Sequence, residues 1–188
     1  DAFYNFRRGT RIGGKRGMKV HANFSTYYGL DESGRADGKD FLFRDFSFDV
    51  EKQWTKKFKS MLLYSMQDNH NREAASHIVV ADLLYKWTPT ISTRMELQYL
   101  ATKSYEGDWM AGLLEFNLAP HWSVFGSDMW NHGSTKLHYY NAGLSYTIEH
   151  LRVSAGYGRY KAGFICSGGV CREIPAYTGA NLTLTASF

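Results

Sequence analysis

Apolar and polar positions alternate along almost the whole chain. In the closing segment YTGANLTLTASF, Ala180, Leu182, Leu184, Ala186 and Phe188 are apolar, while Gly179, Asn181, Thr183, Thr185 and Ser187 are small or polar. A period of two belongs to a β-strand whose two faces meet different surroundings. The same pattern predicts ten strands. They are Met18–Tyr28, Leu42–Trp54, Lys57–Gln67, His77–Trp87, Ile91–Lys103, Trp109–Leu118, Trp122–Trp130, Lys136–Ile148, His150–Lys161 and Ile174–Phe188. Their 9 to 15 residues exceed the roughly 5–6 usual in soluble proteins and suit the about 9–11 of a tilted bilayer crossing.

The connections alternate as well. Short links stand at Thr55–Lys56, Thr88–Thr90, Ala119–His121 and around Glu149, and between them fall longer polar ones: LDESGRADGKDF, DNHNREAAS, SYEGD, NHGST and AGFICSGGVCRE. Short turns on one side and long loops on the other are the layout of outer-membrane barrels, with the short turns in the periplasm. The expected fold is therefore all-β: a transmembrane antiparallel up-and-down β-barrel in the cell outer membrane, surrounded by outer-membrane lipids.

Composition removes the obvious objection. Mean hydropathy is −0.40, and no stretch approaches the 18 or more apolar residues of a membrane helix. Barrel strands average out to such values because only every second side chain meets lipid. The 13 Tyr, 12 Phe and 5 Trp gather near strand ends. Trp54, Phe58, Trp87, Trp122 and Phe188 fall at the short-turn ends. Tyr28, Phe43, Tyr64, Tyr99, Trp109, Trp130, Tyr140, Tyr157 and Tyr177 fall at the loop ends. Amphipathic rings favour the headgroup level, so two girdles are expected.

Alternation also assigns faces. Val20, Phe24, Phe48, Leu62, Val79, Leu97, Leu114, Phe125, Leu144, Val153, Leu182 and Leu184 are expected on lipid. Lys19, His21, Asp45, Asp49, Asp82, Arg94, Glu96, Glu115, Asp128 and Arg152 are expected to line the lumen. Both signs occur there on neighbouring strands, which suits a web of paired charges better than a pore selective for one sign. Met61, Leu63, Ile78, Val80 and Leu84 break the rule by placing an apolar patch inward. That patch calls for internal packing or an apolar ligand path.

Residues 1–17 differ in character from residues 18–188, which hold the strands. Residues 1–20 carry Arg7, Arg8, Arg11, Lys15, Arg16 and Lys19 against Asp1, a net +5, and the other 168 residues carry −1. The charge is local, so nothing suggests a nucleic-acid partner. A basic periplasmic turn near anionic headgroups is expected, with Ala2–Phe6 as the tail of a preceding strand. Ten strands plus that tail make an odd count, so the chain reads as the C-terminal part of a larger barrel, completed by the same gene product or another envelope protein.

Two resemblances follow from these residues. Leu182, Leu184, Ala186 and Phe188 resemble the C-terminal signal read by the outer-membrane assembly machinery, which that resemblance makes a partner. GTRIGGKRGMKVHANFS, with the C-terminal segment, resembles an uncharacterised family of Bacteroidota outer-membrane barrels several hundred residues long. It implies a barrel and carries no catalytic residues.

Enzymatic chemistry is not expected. His132 and Ser134 resemble the His-x-Ser pair of outer-membrane phospholipases, but Asn131 and Asn141 do not match the spacing of the required partner. Asp68 and His70 resemble the Asp-x-His pair of omptin proteases, without a second acidic couple. No cofactor motif or metal-ligand spacing appears. Cys166 and Cys171, the only cysteines, are expected to form a disulfide in an oxidising compartment. Two functions fit: passive transport of small solutes or an apolar ligand, and a structural or anchoring role in an envelope complex.

Overall fold

A computed structural model describes residues 1–30, 36–70, 74–104, 106–167 and 170–186. It contains thirteen strands in chain order: β1 (Ala2–Phe6), β2 (Met18–Leu30), β3 (Ala36–Gln53), β4 (Phe58–Asn69), β5 (Ser76–Lys86), β6 (Ile91–Ala101), β7 (Trp109–Leu118), β8 (Trp122–Asn131), β9 (His138–Ile148), β10 (Leu151–Tyr160), β11 (Gly163–Ser167), β12 (Val170–Ile174) and β13 (Tyr177–Ala186). Eleven form one antiparallel sheet in the order β1 to β10 and then β13, each neighbour in sequence also a neighbour in space. The strands β11 and β12 make a separate hairpin between β10 and β13. The sheet has two edges, β1 and β13, which do not pair with each other.

Local chemistry explains the connections. Thr55 Oγ1 accepts hydrogen bonds from the Lys57 and Phe58 amides, and Thr88 Oγ1 accepts from Thr90 and Ile91. Each threonine thus closes its turn by standing in for a backbone acceptor. The β9–β10 link is the two residues Glu149 and His150, with Glu149 at φ 47°. The 7–17 connection lies at this same end, because Met18 starts β2 opposite Lys52 near the end of β3. The described loop residues 102–104, 106–108 and 132–137, and strands β11 and β12, belong to the other end.

Most boundaries shift by one or two residues from the sequence reading, and three differ by more or have a visible cause. The tenth expected strand splits: Ile174 ends β12, and β13 begins at Tyr177. Pro175 between them has no amide to give a ladder. His138 rather than Lys136 opens β9, since Lys136 takes φ 58°, which a strand does not accommodate. The third strand starts at Ala36 and runs 18 residues, longer than a crossing requires.

The register gives the sheet two unlike faces. In β6, Met95, Leu97 and Tyr99 point one way and Arg94, Glu96 and Gln98 the other. Carried across the pairing, Leu97 shares its face with Phe24, Phe48, Leu62, Val79, Leu114, Val124, Leu144, Leu182 and Leu184. All are exposed: Leu62 by 56%, Leu97 by 50%, Leu182 by 75%. Among the described residues no hydrophobic side chain is fully buried. The accessible surface is 13292 Å². A water-soluble fold of 21.5 kDa would expose about 9,200 Å².

Candidate functional site

The opposite face carries the polar chemistry. At its short-turn half, Lys59 Nζ lies 2.6 Å from Glu51 Oε2 and Lys19 Nζ 3.6 Å from Glu51 Oε1, a rung across β2, β3 and β4. Asp82 and Glu96 both bind Arg94, with Asp82 Oδ2 at 2.6 Å from Nη2. Beside the first rung, His21 holds Asp49 through Nδ1 at 2.8 Å and Asp1 through Nε2 at 2.6 Å. Ser65 donates to Asp45 at 3.4 Å, Ser123 to Glu115 at 3.1 Å, and Arg152 to Ser145 at 3.1 Å. Strands 4.7–4.9 Å apart bring such side chains within reach only when they share a face, which alternation ensures.

Asp128 departs from the expected placement. The register sets it in the row of Leu97, Gly112 and Tyr140, on the apolar face, where His138 Nδ1 holds Oδ2 at 2.6 Å. Phe125, expected on lipid, stands on the polar face opposite Glu115 and Gly143. The segment WSVFGSDMWN has apolar residues on both parities, so hydrophobicity misleads there. The glycine supplies the reason: a β-carbon at Gly143 would come within 2.8 Å of Phe125 Cζ, so the ring fills the space a side chain would take.

Met61, Leu63, Ile78, Val80 and Leu84 lie on the polar face of the sheet. Leu63 faces Val80, Met61 faces Asp82, Leu84 faces Lys59 and Arg94, and Ile78 faces Leu100. Met61 and Leu84 line a hollow of about 160 Å³ with Glu51, Lys59, Asp82 and Arg94. Carbon stems of the charged groups thus share the apolar floor while their ends meet each other.

At the loop half, residues to which the sequence reading gave no organising role build the site. Asn131 is fully buried; its Nδ2 donates to the Glu106 carbonyl at 2.9 Å, and its Oδ1 accepts from the Ser134 and Thr135 amides at 3.0 and 2.7 Å. It ties the loop after β6 to the loop after β8. The signal was an Asn followed within a few residues by Gly, Ser and Thr, a common turn composition too frequent to single out. Beside this knot is a hollow of about 280 Å³ lined by Ile78, Leu100, Trp109, Ala111 and Met129, with Lys161 at its edge. Lys161 comes from beyond β10, yet it pairs with Glu106 and stands 4.2 Å from the centre of the Trp109 ring. Contact across three intervening strand pairs means that the sheet curls toward its polar face.

The other singled-out pairs have structural surroundings. The His132 ring packs on Tyr99 and Trp130, at 5.6 and 5.4 Å between centroids, and the Ser134 amide is held by Asn131. The His70 amide donates to the Leu42 carbonyl, and Asp68 stands opposite Arg44. Among the described residues no three His, Cys, Asp or Glu side chains come together as a metal site.

Aromatic residues sort by height as well as face. On the apolar face, Trp122 packs on Tyr146 and Tyr85 on Trp87, both at the short-turn end; Trp54 and Trp87 donate their indole N–H to Ser60 and Thr93. At the loop end of the same face stand Tyr64 with His77 and Trp130 with His138. Trp122 and Trp130 bracket one strand, eight residues apart, or about 26 Å along it. Trp109 and Tyr177 belong to the polar face, where they pack on Tyr139 and Tyr160.

Leu182, Leu184 and Ala186 pair with Ala155, Val153 and Leu151, and Phe188 lies outside the described residues. Cys166 and Cys171 are register partners in the β11–β12 hairpin, and their side chains lie outside the described residues. No curated protein and no solved structure matches the chain. A family model does match, over residues 1–188, and the chain belongs to that family: DUF6029, a family of unknown function.

Proposed function

We propose that this chain forms the wall of an outer-membrane β-barrel, its apolar face on lipid and its polar face on a water-filled lumen that passes small solutes. One observation carries the reading: a sheet of eleven strands exposes a broad apolar face, and among the described residues no hydrophobic side chain is fully buried. In water such a face would be a large unsatisfied hydrophobic area, whereas in a bilayer it is solvated. Trp122 and Trp130 stand about 26 Å apart along β8, which a barrel-like tilt reduces to about 20 Å of depth, near the roughly 25 Å apolar band of outer-membrane barrels.

The remaining parts fit this frame. The short turns and the basic 7–17 connection face the periplasm, where Arg7, Arg8, Arg11, Lys15 and Arg16 meet anionic headgroups. Leu182, Leu184, Ala186 and Phe188 serve as the signal for the assembly machinery, and Cys166 and Cys171 form a bridge in an outer loop. A second reading, an anchor or scaffold in an envelope complex, is favoured by the pairing of lumen charges of opposite sign among the described residues.

Reconstitution of the intact gene product into planar bilayers separates the two. Discrete conductance steps are the expected result. Heat-modifiable, bilayer-inserted protein without conductance would favour the scaffold, and failure to insert would remove both.

A further inference from the structure

Charges on the wall and charges in the 7–17 connection are handled differently. Among the described residues, Lys19, Lys59, Arg94 and Lys161 each meet a carboxylate, whereas none of Arg7, Arg8, Arg11, Lys15 and Arg16 does. Arg7, Arg8, Arg11 and Lys15 are also exposed. Like charges crowded on one turn repel one another until an anion sits among them.

The turn holds these cations on a closed frame. Thr10 Oγ1 donates to the Arg7 carbonyl at 2.8 Å and accepts from the Gly13 amide at 3.0 Å. The Gly9 amide donates to the Gly14 carbonyl at 2.7 Å, and the Gly14 amide to the Thr10 carbonyl at 2.8 Å. Gly13 is buried in this frame, where a β-carbon would stand 2.2 Å from the Arg7 carbonyl oxygen. A backbone closed in advance loses less entropy when an anion arrives.

A second relationship says where that anion lies. Lys52 Nζ donates to the Ile12 carbonyl at 2.9 Å. Lys52 follows Phe48 and Val50 at a period of two, so it rises from the apolar face, and its ammonium stands 5.0 Å from the centre of the Trp54 ring. Tyr4 and Phe6, register partners of Val20 and Met18, carry the same face up to the turn, and Ile12 is 52% exposed. The turn is therefore tied to the apolar side of the wall and not to the lumen side. Aromatic rings beside unpaired arginine and lysine are the chemistry of the bilayer's headgroup level.

We propose that the 7–17 turn is a binding site for an anionic phospholipid of the adjoining leaflet, its phosphate held by Arg7, Arg8, Arg11 and Lys15 and its acyl boundary met by Ile12. This rests on the barrel reading and adds a lipid selectivity to it. Guanidinium groups offer phosphate oxygens paired N–H donors, whereas a zwitterionic headgroup brings a cation of its own that the cluster repels. Lys52 is a positioning residue that keeps the turn at the bilayer's edge.

The test uses the full gene product in nanodiscs of phosphatidylcholine with a minor share of phosphatidylglycerol. Heat-modifiable mobility reads insertion on the same sample, and native mass spectrometry counts the lipid retained after extraction into mild detergent. Wild type should retain phosphatidylglycerol at least tenfold beyond its share of the disc, a preference that falls at high salt. The combined Arg8→Gln, Arg11→Gln and Lys15→Gln variant should lose most of it. Lys52→Gln and Lys56→Gln each remove one charge from the same end of the sheet. The first should weaken the preference at least threefold, and the second should leave it within twofold. Excess inorganic phosphate should not displace the lipid. If the triple variant does not insert, the salt dependence and the Lys52–Lys56 comparison decide. Inserted wild type without the preference, an inserted triple variant that keeps it, equal effects at Lys52 and Lys56, or displacement by phosphate would each overturn the proposal. Failure of the wild type to insert would remove the barrel reading along with it.

Discussion

The Phe125 ring covers Gly143, its partner across the β8–β9 pair. A β-carbon at Gly143 would stand 2.8 Å from Phe125 Cζ and 2.6 Å from the Ala155 carbonyl oxygen. The second contact is with backbone, which cannot rotate away as a side chain can. Gly143→Val should therefore destabilise the folded sheet by about 1–3 kcal/mol, the range for overpacking a fitted site. Phe125→Ala should relieve only the ring contact, so the double variant should recover part of the loss. Midpoints of urea unfolding in lipid, read by gel mobility, measure both; equal stability of Gly143→Val and wild type would contradict the register.

Leu97 and Gln98 are adjacent in β6 and point to opposite faces. An arginine on lipid at mid-bilayer costs roughly 2–4 kcal/mol, whereas one beside Glu96 on the polar face gains a partner. Leu97→Arg should thus reduce the heat-modifiable folded fraction severely, and Gln98→Arg should leave it near wild type. Comparable losses in both would mean that neither face meets lipid.

Much of this two-faced sheet was readable from alternation, because a period of two fixes parity once one residue of a strand is placed. Arg94, Glu96 and Glu115 share a face for that reason alone. Parity failed where a strand is apolar both ways, as with Phe125 and Asp128, since burial by a cross-strand glycine and pairing with His138 are not local properties. The loop-end site was invisible for a related reason. Lys161 and Glu106 are 55 residues apart, and only the curl of the sheet joins them.

Arg94 holds Asp82 and Glu96 together, with its own side chain 37% exposed. Replacing it by Met leaves two neighbouring carboxylates without their cation. The loss should lie between the about 0–1 kcal/mol of an exposed pair and the about 3–5 kcal/mol of breaking a buried one. Asp82→Asn should cost less, because Arg94 keeps Glu96. In a conducting barrel Arg94→Met should also shift the reversal potential toward cation preference under a salt gradient. An unchanged potential in a folded, conducting variant would remove Arg94 from the lumen.

Cys166 and Cys171 are register partners in the β11–β12 hairpin. A bridge on the outer surface should protect both thiols from a membrane-impermeant maleimide in intact cells until a reductant is added. Labelling without reductant would reveal free thiols, and labelling only after lysis would turn the sheet over.

The edges of the sheet yield the last prediction. Successive antiparallel pairings make the first and eleventh strands of the sheet, β1 and β13, run in the same direction. They cannot zip together as an antiparallel pair. In lipid, each unpaired edge amide or carbonyl would cost several kcal/mol, so both edges need partners. An odd number of further strands between them satisfies both edges and keeps every pairing antiparallel, whether those strands come from the same polypeptide or another chain. The competing closure displaces β1 and pairs β2 with β13, which run in opposite directions. Cysteine pairs decide between them in the assembled protein. Tyr4→Cys with Val20→Cys, opposite in β1 and β2, should cross-link on oxidation. No position of β2 paired with Leu182→Cys or Leu184→Cys should do so. A β2–β13 cross-link, with loss of the β1–β2 one, would mean that ten strands close on themselves.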